Sequence, residues 1–448
     1  MEKLSGLTKK IVLAMLLGAI FGILAKSFLS SFPRIENLII FNLLELVGSL
    51  FISSLKMLVV PLVFVSLVSG IGSLRDLGSL GKLGARTLML YLLTTGVAVS
   101  VGLLLADIFE PGKGLNLADA AGGFELEKTS SLMDVLTGII PDNPVAAMAE
   151  GNMLQIIVFS ILFGIGASAS KKYGRKIFKA FDSLNAIVTN IIFIIMSFAP
   201  YGVFCLIGKA FYSQGHEVIV SMAEYVLVVI AAYLFHALGA FSFLIKYFCK
   251  LDPLIFFKKM RQVQIFAFST SSSNATIPIN LDTVVKKLGV KKSVASFTIP
   301  LGATINMDGT AIMQGVATVF IANMYNIELG MSGYLMVILM SVLASIGTAG
   351  VPGVGLIMLS MVFAQVGLPL EGIGLILGVD RLLDMVRTAV NVTGDAVVST
   401  VVAKSEGKLD ESVFNDSSAG MFDEKETDLS LEDEKIIAET VSSTHDRE

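Results

Sequence analysis

The 448-residue chain has no tryptophan, two cysteines and three histidines, and only 16% of its residues are charged. Cys205 and Cys249 both sit in apolar surroundings, so neither a disulfide framework nor a cysteine-ligated zinc site is suggested. His216, His236 and His445 are too few and too scattered to form an imidazole metal cluster. Without tryptophan, any interfacial aromatic belt must rely on Tyr and Phe. The shortage of charge excludes the most. Soluble chains carry about 25% charged residues, whereas this one joins its 16% to 54% hydrophobic residues and a mean hydropathy of +0.78. A soluble multi-domain enzyme and a nucleic-acid binder are both excluded.

The charge that is present is unevenly placed. The formal net charge is −4, yet residues 404–448 hold 14 acidic and 5 basic side chains, so residues 1–403 carry a positive excess of five. Residues 404–448 read as an acidic, disordered cytoplasmic tail, and residues 1–403 as the membrane domain. The basic start, Met1 to Lys10, leads into an apolar stretch without a small-residue cleavage site, and reads as a retained first helix.

Apolar segments fall near 8–31, 37–70, 86–110, 154–172, 180–210, 219–249, 253–285, 291–325, 331–368 and 370–403. Ten crossings would be the simple reading, but cytoplasmic loops collect Lys and Arg. Lys3, Lys9 and Lys10 place the N-terminus inside, as Arg75, Lys82 and Arg86 do the next loop. Segment 253–285 has lysines at both ends and breaks at Ser269–Asn274, leaving arms of roughly 15 and 9 residues where a span needs about 20. Segment 331–368 has no Lys or Arg near either end and breaks across Ser345–Gly353. Each is expected to enter and return on its own side. The expectation is an all-α membrane protein of eight transmembrane helices plus two re-entrant helical hairpins, both termini cytoplasmic. The hairpin-plus-helix units 253–325 and 331–403 form an inverted repeat, which places a binding site at mid-membrane where the broken tips meet.

The last apolar segment carries charge that lipid does not tolerate. With Asp380 at zero and 100° per residue, Asp384, Arg387, Asn391 and Asp395 fall at about 40°, −20°, 20° and 60°, with Thr388 at the edge near 80°. Such a strip must face an interior polar site, because a charge at the bilayer centre costs about 3 kcal/mol even on the lenient scale. A salt-bridge network between helices is the alternative. The preceding crossing is interrupted at Gly302-Ala303-Thr304-Ile305-Asn306-Met307-Asp308-Gly309-Thr310. Asp308, Asn306, Asn391 and Asp395, with freed backbone carbonyls, supply hard oxygen donors that suit an alkali cation; a merely kinked helix is the alternative. With Asp380 and Arg381 set aside as a nearby opposite pair, Asp308, Asp384 and Asp395 against Arg387 leave a net −2. An acidic amino-acid anion would make it −3, so coupling to several Na⁺ follows, with proton uptake by a carboxylate as the competing route. Arg387 offers a bidentate fork for a carboxylate, and Asp384, one turn away, offers a partner for an ammonium group.

Ser271-Ser272-Ser273-Asn274-Ala275-Thr276, Asn306-Met307-Asp308-Gly309-Thr310, the Gly347-to-Gly353 tip and the Asp384-to-Asp395 run together resemble the dicarboxylate/amino acid:cation symporters of the glutamate/aspartate transporter family, of the bacterial and archaeal type. The match spans roughly residues 8–405 in order. The resemblance implies an elevator-type homotrimer, with a scaffold at about 8–70 and 154–210 and a transport unit at about 86–110 and 219–403. It implies that Arg387 holds the substrate's side-chain carboxylate and Asp384 its amino group. Asn391 and the Ser273 backbone would hold the α-carboxylate, with Thr310, Val351, Gly355 and Thr388 completing the pocket. For sodium it implies one site from Gly302, Asn306, Asn391 and Asp395 and a second from Thr304, Ser345, Ile346 and Thr348. Tyr91, Thr94, Thr95, Asn306 and Asp308 would form a third. The tip at 345–355 would be the extracellular gate. Two departures stand out: neither Ser271 nor Met385 supplies the extra arginine of archaeal or vertebrate members, and Gln314 replaces the vertebrate proton-carrying glutamate.

The functional expectation is therefore Na⁺-driven symport of L-glutamate or L-aspartate into the cell across the plasma membrane, with no enzymatic activity. Its rivals are the same fold coupled to H⁺ or carrying a C4-dicarboxylate or cystine, and an ion channel whose aspartate strip lines a pore.

Overall fold

The computed structural model describes residues 2–29, 31–73, 82–114, 138, 140–214, 217–346, 348, 350 and 352–416. Within them the chain is helical throughout, with one isolated β-bridge, Val290 to Leu409, and no strand.

α1 (Glu2–Leu29) and α2 (Glu45–Ser73, entered through a π-helical stretch Asn37–Leu44) are followed by α3 (Lys82–Phe109). A short α4 (Pro144–Glu150) leads to α5 (Met153–Ala169), α6 (Lys172–Ser197) and α7 (Ala199–Gln214). α8 (Glu217–Phe235) runs on through the π-helical segments His236–Phe241 and Leu244–Phe248. Among the described residues, five stretches are long and apolar enough to cross a membrane: Lys9–Leu29, Pro33–Gly72, Lys82–Phe109, Lys172–Ser197 and Val218–Phe248. Their outer faces are bare leucine, isoleucine and phenylalanine, as on α1 with Leu13, Leu17, Ile20, Leu24 and Phe28. A solvent of hydrocarbon is what such faces require.

The remaining helices miss that simple criterion for physical reasons. α5 has only 17 residues. The stretch after Lys291 is broken into α11 (Lys292–Ile305) and α12 (Asp308–Met324). The long α15 (Ile373–Ser405) carries the charged strip, and 33 residues at 1.5 Å each give a rod of about 50 Å.

The two interrupted segments are helix pairs. α9 (Pro253–Thr270) and α10 (Ser273–Lys286) pack on each other, as do α13 (Gly330–Ser345) and α14 (Val354–Val366). The arms of the first pair, 18 and 14 residues, are longer than the apolar pattern predicts, because helix continues through polar Asn280, Asp282 and Lys286. Local chemistry sets the break. Asp252 caps α9 at its start, Ser271 ends it in the left-handed region at φ +50°, and Ser272 caps α10 by accepting from the Ala275 N–H at 3.2 Å.

α15 is the hub. It is buried along most of its length and packs against α7, α8, α9, α10, α11 and α12. α1 lies mainly on α7, and α2 on α5 and α6, while α3 lies on α12 and α13. A short α16 (Glu411–Asn415) folds back beneath α9: Lys259 Nζ donates to the carbonyls of Lys287, Val413 and Asp416, and Phe414 is wholly buried.

Candidate functional site

Helical spacing places Asp380, Asp384, Arg387, Asn391 and Asp395 on one face of α15, and all five are buried in the structure. Arg387 is the centre of a four-membered ion network. Its Nη1 donates to Asp380 Oδ1 at 2.9 Å, its Nε to Asp384 Oδ1 at 3.1 Å, and its Nη2 also bonds Asp384. Arg381 Nη1 reaches Asp384 Oδ2 at 3.3 Å. Asp380 thus takes its hydrogen bond from Arg387, because positions 380 and 387 are about two turns apart and nearly eclipsed, while Arg381 also lies within electrostatic reach of Asp380. The net charge of the wider set, Asp308, Asp380, Asp384 and Asp395 against Arg381 and Arg387, remains −2.

The break between α11 and α12 faces this strip. Asn306, extended at φ −90° and ψ 97°, sends its side-chain amide to Asp395 Oδ1 at 2.9 Å and to the Asn391 carbonyl at 3.2 Å. Asn391 Oδ1 in turn accepts from the Gly309 N–H at 2.7 Å. A Cβ at Gly302 would run into Asp395 and the Tyr91 hydroxyl, so glycine is what lets α11 close on α15.

The tips of the two helix pairs meet above the break. Ser272 Oγ donates to the Gly350 carbonyl at 2.8 Å, and the Asn274 N–H to the same oxygen at 3.3 Å. Between tips, break and strip lies a small cavity. Seven of the eight expected substrate residues line it: Ser273, Thr310, Gly355, Asp384, Arg387, Thr388 and Asn391. The eighth, Val351, lies outside the described residues. Ser271, Met307, Thr348 and Gly350 complete the wall. Gly355 lies flat against the guanidinium, since a Cβ there would stand 3.1 Å from Arg387 Cζ.

The expected cation residues divide. Gly302, Asn306, Asn391 and Asp395 come together around the Asn306 amide. Tyr91, Thr94, Thr95, Asn306 and Asp308 also converge: Thr95 Oγ1 donates to Asp308 Oδ1 at 2.8 Å, and Thr94 Oγ1 points at Asn306 Oδ1 at 3.5 Å and the Tyr91 carbonyl at 3.1 Å. Tyr91 donates to the Thr298 carbonyl at 2.9 Å. The set Thr304, Ser345, Ile346 and Thr348 is not joined in this way. The three hydroxyls donate to the carbonyls of Leu301, Val342 and Ala344, three or four residues back along the chain, and Ile346 is half-buried. No group of three His, Cys, Asp or Glu side chains is gathered among the described residues. The donors are carbonyls, amides and hydroxyls with single carboxylates, a hard-oxygen set.

Two contacts escape a sequence reading. His236, wholly buried, faces Asp308 Oδ2 with its Nε2 at 3.2 Å. It opens the π-helical stretch of α8, which widens the helix there. A single histidine in an apolar run carries no spacing signal. Met307 sulfur lies 3.4 Å from Asn391 Nδ2 and 3.9 Å from Thr310 Oγ1, a role that hydrophobicity alone conceals.

A family model described as the sodium:dicarboxylate symporter family matches residues 7–405. The chain belongs to that family. The family is one of transporters, and the four motifs that carry the resemblance all lie within the matched span. Among relatives, a proton/sodium-glutamate symport protein of Bacillus caldotenax is 35% identical, over 88% of this chain and 94% of its own length. A proton/glutamate-aspartate symporter of Escherichia coli is 36% identical, over 90% of this chain and 93% of its own. A C4-dicarboxylate transport protein of Bacillus subtilis is 31% identical, over 94% and 98%. In this member of the family the four motifs supply every lining residue of the cavity except Gly355, and the Asn306 break as well.

Proposed function

We propose that this protein is a secondary active symporter that carries L-aspartate or L-glutamate into the cell together with Na⁺. The observation that carries this reading is the pairing of Arg387 with Asp384 on the wall of one buried cavity. A guanidinium and a carboxylate three residues apart match a zwitterion with an extra carboxylate: the fork takes the side-chain carboxylate and Asp384 the ammonium. Asn391 and the backbone at Ser273 take the α-carboxylate, with Thr310, Val351, Gly355 and Thr388 around them.

Na⁺ is the coupling ion in this reading. The set −2, made −3 by an acidic amino-acid anion, needs two or three cations in a low-dielectric site. Gly302, Asn306, Asn391 and Asp395 form one cation site, and Tyr91, Thr94, Thr95, Asn306 and Asp308 another. Thr304, Ser345, Ile346 and Thr348 form a third as the tip of α13 and α14 closes. Sodium and substrate each help that closure, so each binds more tightly when the other is present.

The architecture that serves this is eight membrane crossings plus the re-entrant pairs α9–α10 and α13–α14, with both termini inside a plasma-membrane homotrimer. Residues 8–70 and 154–210 act as the scaffold, and 86–110 with 219–403 as the unit that moves like an elevator.

Uptake of both acids into proteoliposomes, driven by a Na⁺ gradient alone and then with choline replacing Na⁺ at two pH values, tests the reading. Saturable, gradient-driven accumulation that vanishes in choline is expected. Accumulation that persists in choline and follows a pH gradient would assign the coupling to protons, a reading that the names of the Bacillus caldotenax and Escherichia coli relatives support. Flux without saturation would mean a channel.

A further inference from the structure

Arg387 has two carboxylate partners, and they are not equivalent. Asp384 lines the cavity; Asp380 does not. Asp380 lies two turns back along α15, is 0% exposed, and takes its hydrogen bond from Nη1 at 2.9 Å. Its other oxygen, Oδ2, has no hydrogen-bond partner among the described residues. The buried hydroxyls of Tyr225 and Tyr233 on α8, within electrostatic reach of the same pair, are likewise without one. A buried carboxylate needs a compensating charge, and here the guanidinium that accepts substrate supplies it.

We infer that Asp380 is a positioning residue: the fixed counter-ion that anchors Arg387 while Asp384 exchanges partners during binding. The steric and electrostatic logic is simple. An incoming acidic zwitterion presents an ammonium that draws Asp384 away from the guanidinium. Nε and Nη2, the edge Asp384 leaves, are then free for the substrate's side-chain carboxylate. Nη1 stays bonded to Asp380, so the fork keeps its direction through the exchange. Arg381, which also reaches Asp384, keeps that carboxylate compensated on its far side. Gly355, flat against Cζ, prevents the guanidinium from swinging toward α14. Asp380 also removes part of the positive field that the substrate meets, which keeps the acid releasable.

This rests on the acidic amino-acid reading above, and the two fail separately. Wild-type protein that took up no acidic amino acid would end that reading, whereas wild-type uptake with an unaltered Asp380→Asn variant would end only this one. In proteoliposomes of the full-length protein, Asp380→Asn keeps a hydrogen-bond acceptor for Nη1 but deletes the charge. The KM for L-aspartate should fall by about tenfold, the lower end of the roughly 1–3 log units that a neighbouring charge exerts on a charged partner. Vmax should fall with it, because release slows. Asp380→Glu, which restores the charge, should return both parameters toward wild type. A merely structural Asp380 predicts less folded protein with an unchanged KM, since Asn keeps the hydrogen bond that aims the fork. A raised or unchanged KM in Asp380→Asn, or a glutamate that fails to rescue, overturns the proposal.

Thermal unfolding in detergent supplies a second arm. Asp380→Asn should lower the melting temperature when Arg387 is present. It should raise that temperature in an Arg387→Cys background, where Asp380 has lost its hydrogen-bonded counter-ion. Should Asp380→Asn alone not accumulate, the double variant still should. Effects of the same sign in both backgrounds, or a double variant that fails to accumulate as well, overturn the proposal.

Discussion

Asn306 donates to Asp395 at 2.9 Å, joining the broken segment α11–α12 to the charged face of α15 across 89 positions of sequence. An amide that lies in a helix break has given up its place in a regular ladder. What it gains is a fixed set of oxygens: Asp395 Oδ1, the Asn391 carbonyl and, through the turn, the Gly302 carbonyl that accepts from the Asn306 N–H at 2.8 Å.

Asp395→Asn should therefore weaken sodium more than it weakens the fold. The Asn306 amide keeps an acceptor in the new carboxamide oxygen, so packing survives, while the cation loses a full charge. At a buried site that is worth about 1–3 log units. The Na⁺ concentration for half-maximal uptake should rise at least tenfold, with the yield of folded protein after detergent extraction close to wild type. Asp308→Asn should behave alike, because Thr95 Oγ1 still finds an oxygen at the same place. Normal sodium dependence in both variants would remove the oxygen-cage reading.

Arg387→Cys should abolish acidic-substrate uptake while the protein still assembles. Removing one side of a buried, hydrogen-bonded charge pair costs about 2–5 kcal/mol, which is about 30-fold or more in affinity for the acids. Arg381 continues to compensate Asp384, so the hub helix keeps one of its ion pairs. Competition by aspartate, glutamate and neutral amino acids against a labelled substrate separates loss of the carboxylate partner from general damage. Unchanged aspartate and glutamate affinity would overturn the substrate assignment.

What the sequence could show of this site followed from periodicity. One face of α15 was legible because charged residues in a hydrophobic segment must share a face, and the 100° rule says which ones do. The breaks at Ser271–Ser272 and Asn306–Met307 were legible because Ser, Asn, Asp and Gly compete with the helix for hydrogen bonds. Partner choice within the strip was not. Asp380, Arg381, Asp384 and Arg387 lie within two turns, and which carboxylate meets which guanidinium depends on long side chains and on what α8 and α14 leave open. His236 meeting Asp308 was hidden for a different reason: the contact depends on the π-helical widening of α8, and nothing in the string His236–Phe241 announces it. The mutual approach of the two tips was expected from symmetry alone; the bond from Ser272 to Gly350 gives it atoms.

Gly302→Ala should act as a cation-site lesion although it deletes no ligand. Its methyl group would enter the space held by Asp395 and the Tyr91 hydroxyl, so either α11 retreats from α15 or those side chains turn aside. Overpacking of this kind costs about 1–3 kcal/mol, and either movement parts the Asn306 amide from Asp395. Half-maximal Na⁺ should rise while the substrate KM, measured at saturating Na⁺, moves less. An equal change in both would mean that the glycine serves general packing and not the cation cluster.

Ser272→Ala removes two bonds at once, the cap on Ala275 and the tie to Gly350. Loss of the cap costs about 0.5–2 kcal/mol, and loss of a neutral hydrogen bond about 0.5–1.5 kcal/mol. The two losses have different consequences. The cap belongs to α10 and should show as a lower melting temperature. The tie links one helix pair to the other, and its loss should make the tips part more easily, exposing the cavity between them. A cysteine introduced at Thr388, on the cavity wall, reports this through its rate of labelling by a membrane-impermeant thiol reagent in a Cys205→Ser, Cys249→Ser background. Faster labelling in the Ser272→Ala variant is expected, with Ser272→Asp as the control that keeps a cap but carries no hydroxyl for Gly350. If Ser272→Asp labelled as slowly as the parent, the cap and not the tie would be what holds the tips together.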